Sequence, residues 1–388
     1  MNNRGSNMRD ISEIPARGQV TNVNVAVIKI GSSSVTRGDG QVDAELIGAL
    51  CAQIAEMRAV GIEVVVVTSG AIAAGLEVLG RDGQRPSDLA VLQAVSAVGQ
   101  SRLMRTWQEG FDPHGIVVGQ VLLAPLDFTH RSQYLQARGT LSQLLALGVV
   151  PVVNENDAVA DEEIRFGDND RLAALVAHLV GAELFVILTD TAGLLTGDPR
   201  FASEATLTLI EEVVEIDKEL EGIAGGAGTP VGSGGMLSKL AAAKIATWSG
   251  IETVIADARR PGVLADVIAH SPGAGTLLKA RPTRLPARKL WIAFALRSSG
   301  TVVVDDGARR ALVSGGRSLL PAGVVKVTGE FVPDDAVEIA STDETTFAKG
   351  LVRVPSARAD EWVGSQSSDL PDELSGAVVH RDDLVILG

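Results

Sequence analysis

At 388 residues the chain exceeds one ordinary domain of roughly 100–200 residues and suits two. Hydrophobic residues make up 46% and charged residues 21%, which supports a full core and excludes a disordered chain. The formal net charge of −14 repels nucleic acid at long range and gives an anionic nucleotide no help from the global field. Any phosphate site must therefore rest on local cations and backbone N–H groups.

The first 22 residues are polar, lack the hydrophobic core of an export signal and read as a loose tail. With no apolar run near the roughly 18 residues of a membrane span, the expected address is cytoplasmic. From Val23 to about Ala280, short β-branched runs bounded by Gly, Ser, Asn or Asp predict strands. They are Val23–Ile30, Glu63–Thr68, Ile116–Leu123, Val149–Asn154, Leu184–Thr189 and Thr253–Ala256. Segments with helical periodicity lie between them, such as Leu172, Leu175, Val176, Leu179 and Val180. The single cysteine, Cys51, shares a helical face with Leu46, Ile47, Leu50 and Ile54 and reads as a buried small hydrophobe. Strand and helix alternating in this way predict an α/β fold, an open mostly parallel sheet sandwiched by helices. Arg281-Pro282 and Leu285-Pro286 mark a linker. Beyond it Trp291–Leu296, Thr301–Val304, Val324–Val327, Ala336–Ile339, Leu351–Val354 and Val378–Val379 predict a small β-rich domain. The expected organisation is a tail over 1–22, an α/β domain over 23–280 and a linker plus β domain over 281–388.

Ligands in open α/β sheets bind at the carboxyl ends of strands, so a site is expected in the loops there. Lys29-Ile30-Gly31-Ser32-Ser33-Ser34 places a lysine inside a strand, costly without an anionic partner; an edge-strand lysine reaching solvent would look the same. Thr68-Ser69-Gly70-Ala71-Ile72-Ala73-Ala74-Gly75 either opens a helix towards an anion or is a tight turn needing small residues for packing. Asn154-Glu155-Asn156-Asp157 and Gly167-Asp168-Asn169-Asp170 exceed what helix capping explains, and suit a substrate ammonium group or a water-mediated Mg²⁺ shell. Seven of the fourteen residues 222–235 are glycine, and Ser233, Gly234, Gly235, Met236, Leu237, Ser238 and Lys239 lead into a predicted helix. That is either an anion-binding loop or a surface loop. Thr189-Asp190 follows the fifth strand and would hold a nucleotide or cap a turn.

No histidine among the five lies in these clusters and no G-x-S-x-G elbow is present, so no nucleophile–base pair stands out. Phosphoryl transfer to a carboxylate needs neither, since the acceptor is ionised at pH 7 and catalysis reduces to positioning and charge neutralisation.

Taken together and in order, the Lys29, Thr68, Asn154, Gly167, Leu188-Thr189-Asp190 and Gly234–Lys239 motifs resemble those of the glutamate 5-kinases, within the amino-acid kinase superfamily. Val302-Val303-Val304-Asp305-Asp306-Gly307 and Ser318-Leu319-Leu320-Pro321-Ala322-Gly323 are similar to a PUA domain. The resemblance implies transfer of phosphate from ATP to the side-chain carboxylate of L-glutamate with Mg²⁺, as the first step of proline biosynthesis. It implies proline as a feedback inhibitor and a homo-oligomer, dimer or tetramer. It casts Lys29 and Lys239 as catalytic, and Ser69, Gly70, Asp157, Asn169 and Asp170 as substrate-binding. Lys29, Gly31, Thr189, Asp190 and Ser233 to Lys239 would face ATP. The metal ligands stay unassigned. The tail from Leu285 carries 11 Lys plus Arg against 15 Asp plus Glu, a net of −4, and lacks the basic footprint of an RNA module.

Overall fold

The computed structural model describes residues 23–81, 85–124, 127–128, 130–159, 169–197, 207–225, 235–365 and 376–387. Residues up to 124 with 136–281 form one compact unit, and 125–135 with 282 onward form another.

Described residues of the first unit build an eight-stranded sheet in the order β3-β4-β2-β1-β5-β7-β8-β6. Its strands are β1 (Val25–Ile30), β2 (Glu63–Thr68), β3 (Val118–Leu123), β4 (Val150–Glu155), β5 (Leu184–Thr189), β6 (Glu212–Val213), β7 (Glu252–Asp257) and β8 (Thr276–Leu278). The run from β3 to β7 is parallel, as the six predicted strands and their long helical crossovers require. β8 is antiparallel to β7 and pairs with β6; strands of two and three residues are too short to leave a periodic signal.

The helices are α1 (Ser32–Val35), α2 (Ala44–Ala59), α3 (Ala71–Val78), α4 (Leu89–Phe111), α5 (Arg131–Ala146), α6 (Asn169–Val180), α7 (Lys218–Gly225), α8 (Met236–Trp248) and α9 (Val263–Ile268). Asp43 and Asp88 start α2 and α4 by accepting the Leu46 and Val91 N–H groups at 3.1 and 2.9 Å. The two-residue period of the strands divides the core. Ala26, Ile28, Ile30, Val64, Val66 and Val152 pack with Ile47, Leu50, Cys51 and Ile54 of α2 and with Leu103, Trp107 and Phe111 of α4. Burial pushes the Cys51 thiol up to about 12, so it is the inert hydrophobe its helical face predicted. Val27 and Lys29 alternate to the opposite side, where α6 meets β1, β2, β4 and β5 and also packs on α8.

α3 and α4 approach closely because of two glycines. A Cβ on Gly99 would lie 1.8 Å from the Ala71 carbonyl oxygen, and one on Gly75 2.0 Å from that of Val95. Gly75 therefore serves helix packing. Gly70, at φ 107°, is the left-handed residue that turns β2 into α3.

In the second unit β9 (Ser298–Val304), β10 (Val324–Gly329), β11 (Ala336–Ala340), β12 (Thr346–Val352) and β13 (Val379–Ile386) form a sheet in the order β10-β9-β11-β12-β13. All its pairs are antiparallel except β9 with β11. Short helices α10 (Ala287–Leu290), α11 (Asp306–Val313) and α12 (Ser356–Glu361) complete it. The strand expected at Trp291–Leu296 is a correction: Trp291–Ala295 is a π-helical turn continuing α10. The apolar run Trp291–Ala295 lacks the alternation of a half-buried strand and continues the preceding helical turn without a break. This unit also takes in 125–135, which the expected 23–280 boundary leaves with the first; the Trp291 indole N–H donates to the Phe128 carbonyl at 2.6 Å.

Candidate functional site

Connections leave β1 towards β2 on one side and β5 towards β7 on the other, so the crevice at the carboxyl ends of β1 and β5 is the topological switch point of the sheet. Lys29 lies one residue before the end of β1, paired with Val67 of β2 and Ile187 of β5. It is interior to the sheet and only 4% exposed, so the edge-strand alternative fails. Its Nζ sits 2.6 Å from Asp170 Oδ1. Asp170, in the first turn of α6, also receives Lys239 Nζ at 3.6 Å from Oδ2 and the Ser238 hydroxyl at 2.7 Å. One carboxylate thus gathers a strand lysine and a helix lysine far apart in sequence. The sequence reading groups Asp170 with the substrate residues; the structure bonds it to both predicted phosphate lysines.

Burial opposes the Asp170 charge, but Lys29, Lys239 and Ser238 reverse that and hold its carboxyl below the ordinary value. Burial lowers the Lys239 ammonium, with Lys29 adding to the effect and Asp170 and Asp190 opposing it. Two lysines and one aspartate leave this buried cluster at a net +1, the local cation density that a chain of net −14 has to build.

Gly31 follows at the N-cap of α1. A Cβ there would stand 3.4 Å from Lys29 Nζ, and its N–H donates to the Leu188 carbonyl at 3.3 Å. Thr189 closes β5, and its hydroxyl donates to Asp190 at 3.0 Å. Gly235 is the N-cap of α8, with Met236, Leu237, Ser238 and Lys239 forming its first turn. Ser233 and Gly234, like Gly167 and Asp168, lie outside the described residues.

A second group lies at the ends of β2 and β4. The Asn169 side-chain amide donates to Ser69 Oγ at 2.9 Å and to Asn154 Oδ1 at 3.2 Å. Asn169 Oδ1 is buried and, among the described residues, without a hydrogen-bond partner. Asp157 sits in a short 3₁₀ turn after β4 and accepts the Ser96 hydroxyl at 3.1 Å. Burial pushes its carboxyl up, against the Ser96 bond and the Arg85 charge. Gly70 connects Ser69 to α3.

Sequence reasoning missed α4. Ser96, Gln100 and Trp107 are buried on the same helix as Leu92, Val95 and Leu103, and each bonds to a site segment. The signal was available, since polar residues on an otherwise apolar helical face need partners. Among the described residues no group of three or more His, Cys, Asp or Glu side chains converges on a possible metal position, and Asp170 is already shared by two lysines. The donor set does not make a protein cage for Mg²⁺.

The amino acid kinase family model matches residues 24–257 and a PUA domain model matches 300–374. The chain is 45% identical over 374 residues to the glutamate 5-kinase of Geobacter sulfurreducens, covering 95% of this chain and 99% of that one. It is 44% identical to the enzyme of that name from Rhodococcus jostii, over 96% and 99% of the two chains. With the Nocardia farcinica glutamate 5-kinase the identity is 45%, over 95% and 99%. Motif order, sheet topology and this extent of identity agree, and the chain belongs to the amino acid kinase family and, within it, to the glutamate 5-kinase family.

Proposed function

We propose that the chain transfers the terminal phosphoryl group of ATP to the side-chain carboxylate of L-glutamate, giving L-glutamyl 5-phosphate and ADP, the first step of proline biosynthesis. The observation that carries this reading is the buried cluster in which Lys29 and Lys239 share Asp170. An anionic acceptor has to approach an anionic phosphate, and a carboxylate is ionised without a base. The barrier is electrostatic. One cation about 4 Å from an anion contributes roughly 4 kcal/mol at an effective dielectric of 20.

In this reading Lys29 binds the ATP phosphates and Lys239 stabilises the phosphoryl group in transfer. Asp170 holds both ammonium groups in place while the pocket is empty of phosphate. Gly31, Thr189, Asp190 and the segment from Ser233 to Lys239 face the nucleotide, with the α8 N-terminus supplying backbone N–H groups. Ser69, Gly70, Asp157 and Asn169 hold glutamate. The described side chains make no cage for Mg²⁺, so the ion would be held by the phosphates of ATP, as is usual for nucleotide sites. The enzyme works as a cytoplasmic homo-oligomer with proline as inhibitor. No described helix is long and apolar enough to cross a membrane. The acidic C-terminal unit does not serve RNA binding; it supports stability, assembly or regulation.

Hydroxylamine tests the reaction. With ATP and glutamate it traps the acyl phosphate as a hydroxamate, and added proline suppresses the signal. Hydroxamate formed only from aspartate or an N-acylated amino acid would overturn the choice of acceptor.

A further inference from the structure

Helix α4 runs beneath the glutamate side of the site and presents Ser96, Gln100 and Trp107 at spacings of four and seven residues, one helical face. Ser96 reaches Asp157 at 3.1 Å, Gln100 reaches Asn154 at 2.9 Å and the Trp107 indole N–H reaches Thr68 Oγ1 at 3.3 Å. The middle contact sets the direction of a chain of amides. A backbone N–H can only donate, and that of Glu155 donates to Asn154 Oδ1 at 2.8 Å, so this oxygen is an acceptor. Asn154 Nδ2 is therefore the donor to Gln100 Oε1. Asn154 Oδ1 also accepts from Asn169 Nδ2 at 3.2 Å, which turns the Asn169 nitrogen inwards. The remaining atom is Asn169 Oδ1, on a residue 4% exposed, with no partner among the described residues.

We propose that Gln100 is a positioning residue: by holding Asn154 it fixes the Asn169 amide so that its unfilled oxygen accepts from the ammonium group of the amino-acid substrate. An acceptor left empty in the interior costs stability until a ligand donor fills it, and the ammonium is the donor group of an amino acid that phosphorylation leaves untouched. A site so arranged favours a free amine over an acylated or missing one. The inference rests on reading the pocket as an amino-acid kinase site.

Two variants separate this role from simple packing. Gln100→Met keeps length and removes the acceptor. Gln100→Glu keeps the acceptor and gives up the Nε2 donor, which has no partner among the described residues. The carboxylate charge it adds is controlled for by repeating the kinetics at lower pH, where the buried group is neutral. In the full-length enzyme, Gln100→Met should raise KM for glutamate about tenfold, equivalent to about 1.4 kcal/mol, with KM for ATP nearly unchanged. It should also lower the preference for glutamate over glutarate, which lacks the amine. Gln100→Glu should restore most of both. The proposal is overturned if Gln100→Met leaves KM for glutamate unchanged. It is equally overturned if both KM values rise together while the glutamate-to-glutarate preference holds. A wild-type enzyme that phosphorylates a different amino acid refutes the acceptor assignment alone, and the two variants are then compared on that acceptor and its deamino analogue.

Discussion

Replacing Asp170 by Asn removes one charge without changing shape and leaves two buried lysines facing each other. The distances of 2.6 and 3.6 Å to their nitrogens make the attractions about 6 and about 5 kcal/mol at an effective dielectric of 20, before desolvation. Burial of the carboxylate opposes that gain, and breaking a buried ion pair costs about 3–5 kcal/mol in comparable sites. Urea unfolding at pH 7 should show a loss of that size for Asp170→Asn. The sign with pH follows from the lowered Asp170 pKa: its contribution is complete above the ordinary value of 3.8 and is lost as pH falls through the lower folded-state value. Wild type and variant should therefore converge in strong acid. ATP should protect the variant more than the wild type, because its phosphates supply the missing negative charge. An Asn variant as stable as wild type at pH 7 would show that Asp170 does not hold the lysines against their mutual repulsion.

Lys239→Ala should lower kcat by roughly 10²–10³ with little change in KM for ATP, given the transition-state charge assigned to it; wild-type turnover would remove it from the mechanism. Lys29→Ala should reduce both turnover and nucleotide affinity, read by kinetics and by ATP titration. Because burial lowers the Lys239 ammonium from 10.5, kcat should fall as pH rises through that lowered value. Lys239→Arg should remove this alkaline limb, and a limb that persists in the Arg variant belongs to another group. Gly99→Ala places a methyl 1.8 Å from the Ala71 oxygen and should cost at least about 1–3 kcal/mol by overpacking, measured by thermal unfolding.

The six strands from β1 to β7 in the parallel run were legible because each is a β-branched segment closed by Gly, Ser, Asn or Asp. β6 and β8 were not, being too brief to show a period. Trp291–Ala295 misled because an apolar run without alternation fits strand and helix alike, and only its continuity with α10 decides. Within the site, the lysines and amide clusters could be named from the loops that carry them. Their pairing could not. Nothing in the spacing of Lys29, Asp170 and Lys239 says that one carboxylate serves both amines; the crossing of β1, α6 and α8 decides that. Ser96 and Gln100 escaped notice because they lie within a helix, away from the strand-end loops in which a site is expected.

β1 lies between strands made at different times. Ile28 pairs with Val66 on one side and with Val186 on the other, so β1 has its first partner early in synthesis and its second only after β5 emerges. At about 5–20 residues per second the second edge of the most central predicted strand stays open for roughly ten to thirty seconds on the ribosome. An open hydrophobic strand edge is a template for pairing with other chains. Nascent chains stopped before Leu184 should therefore aggregate or bind chaperones.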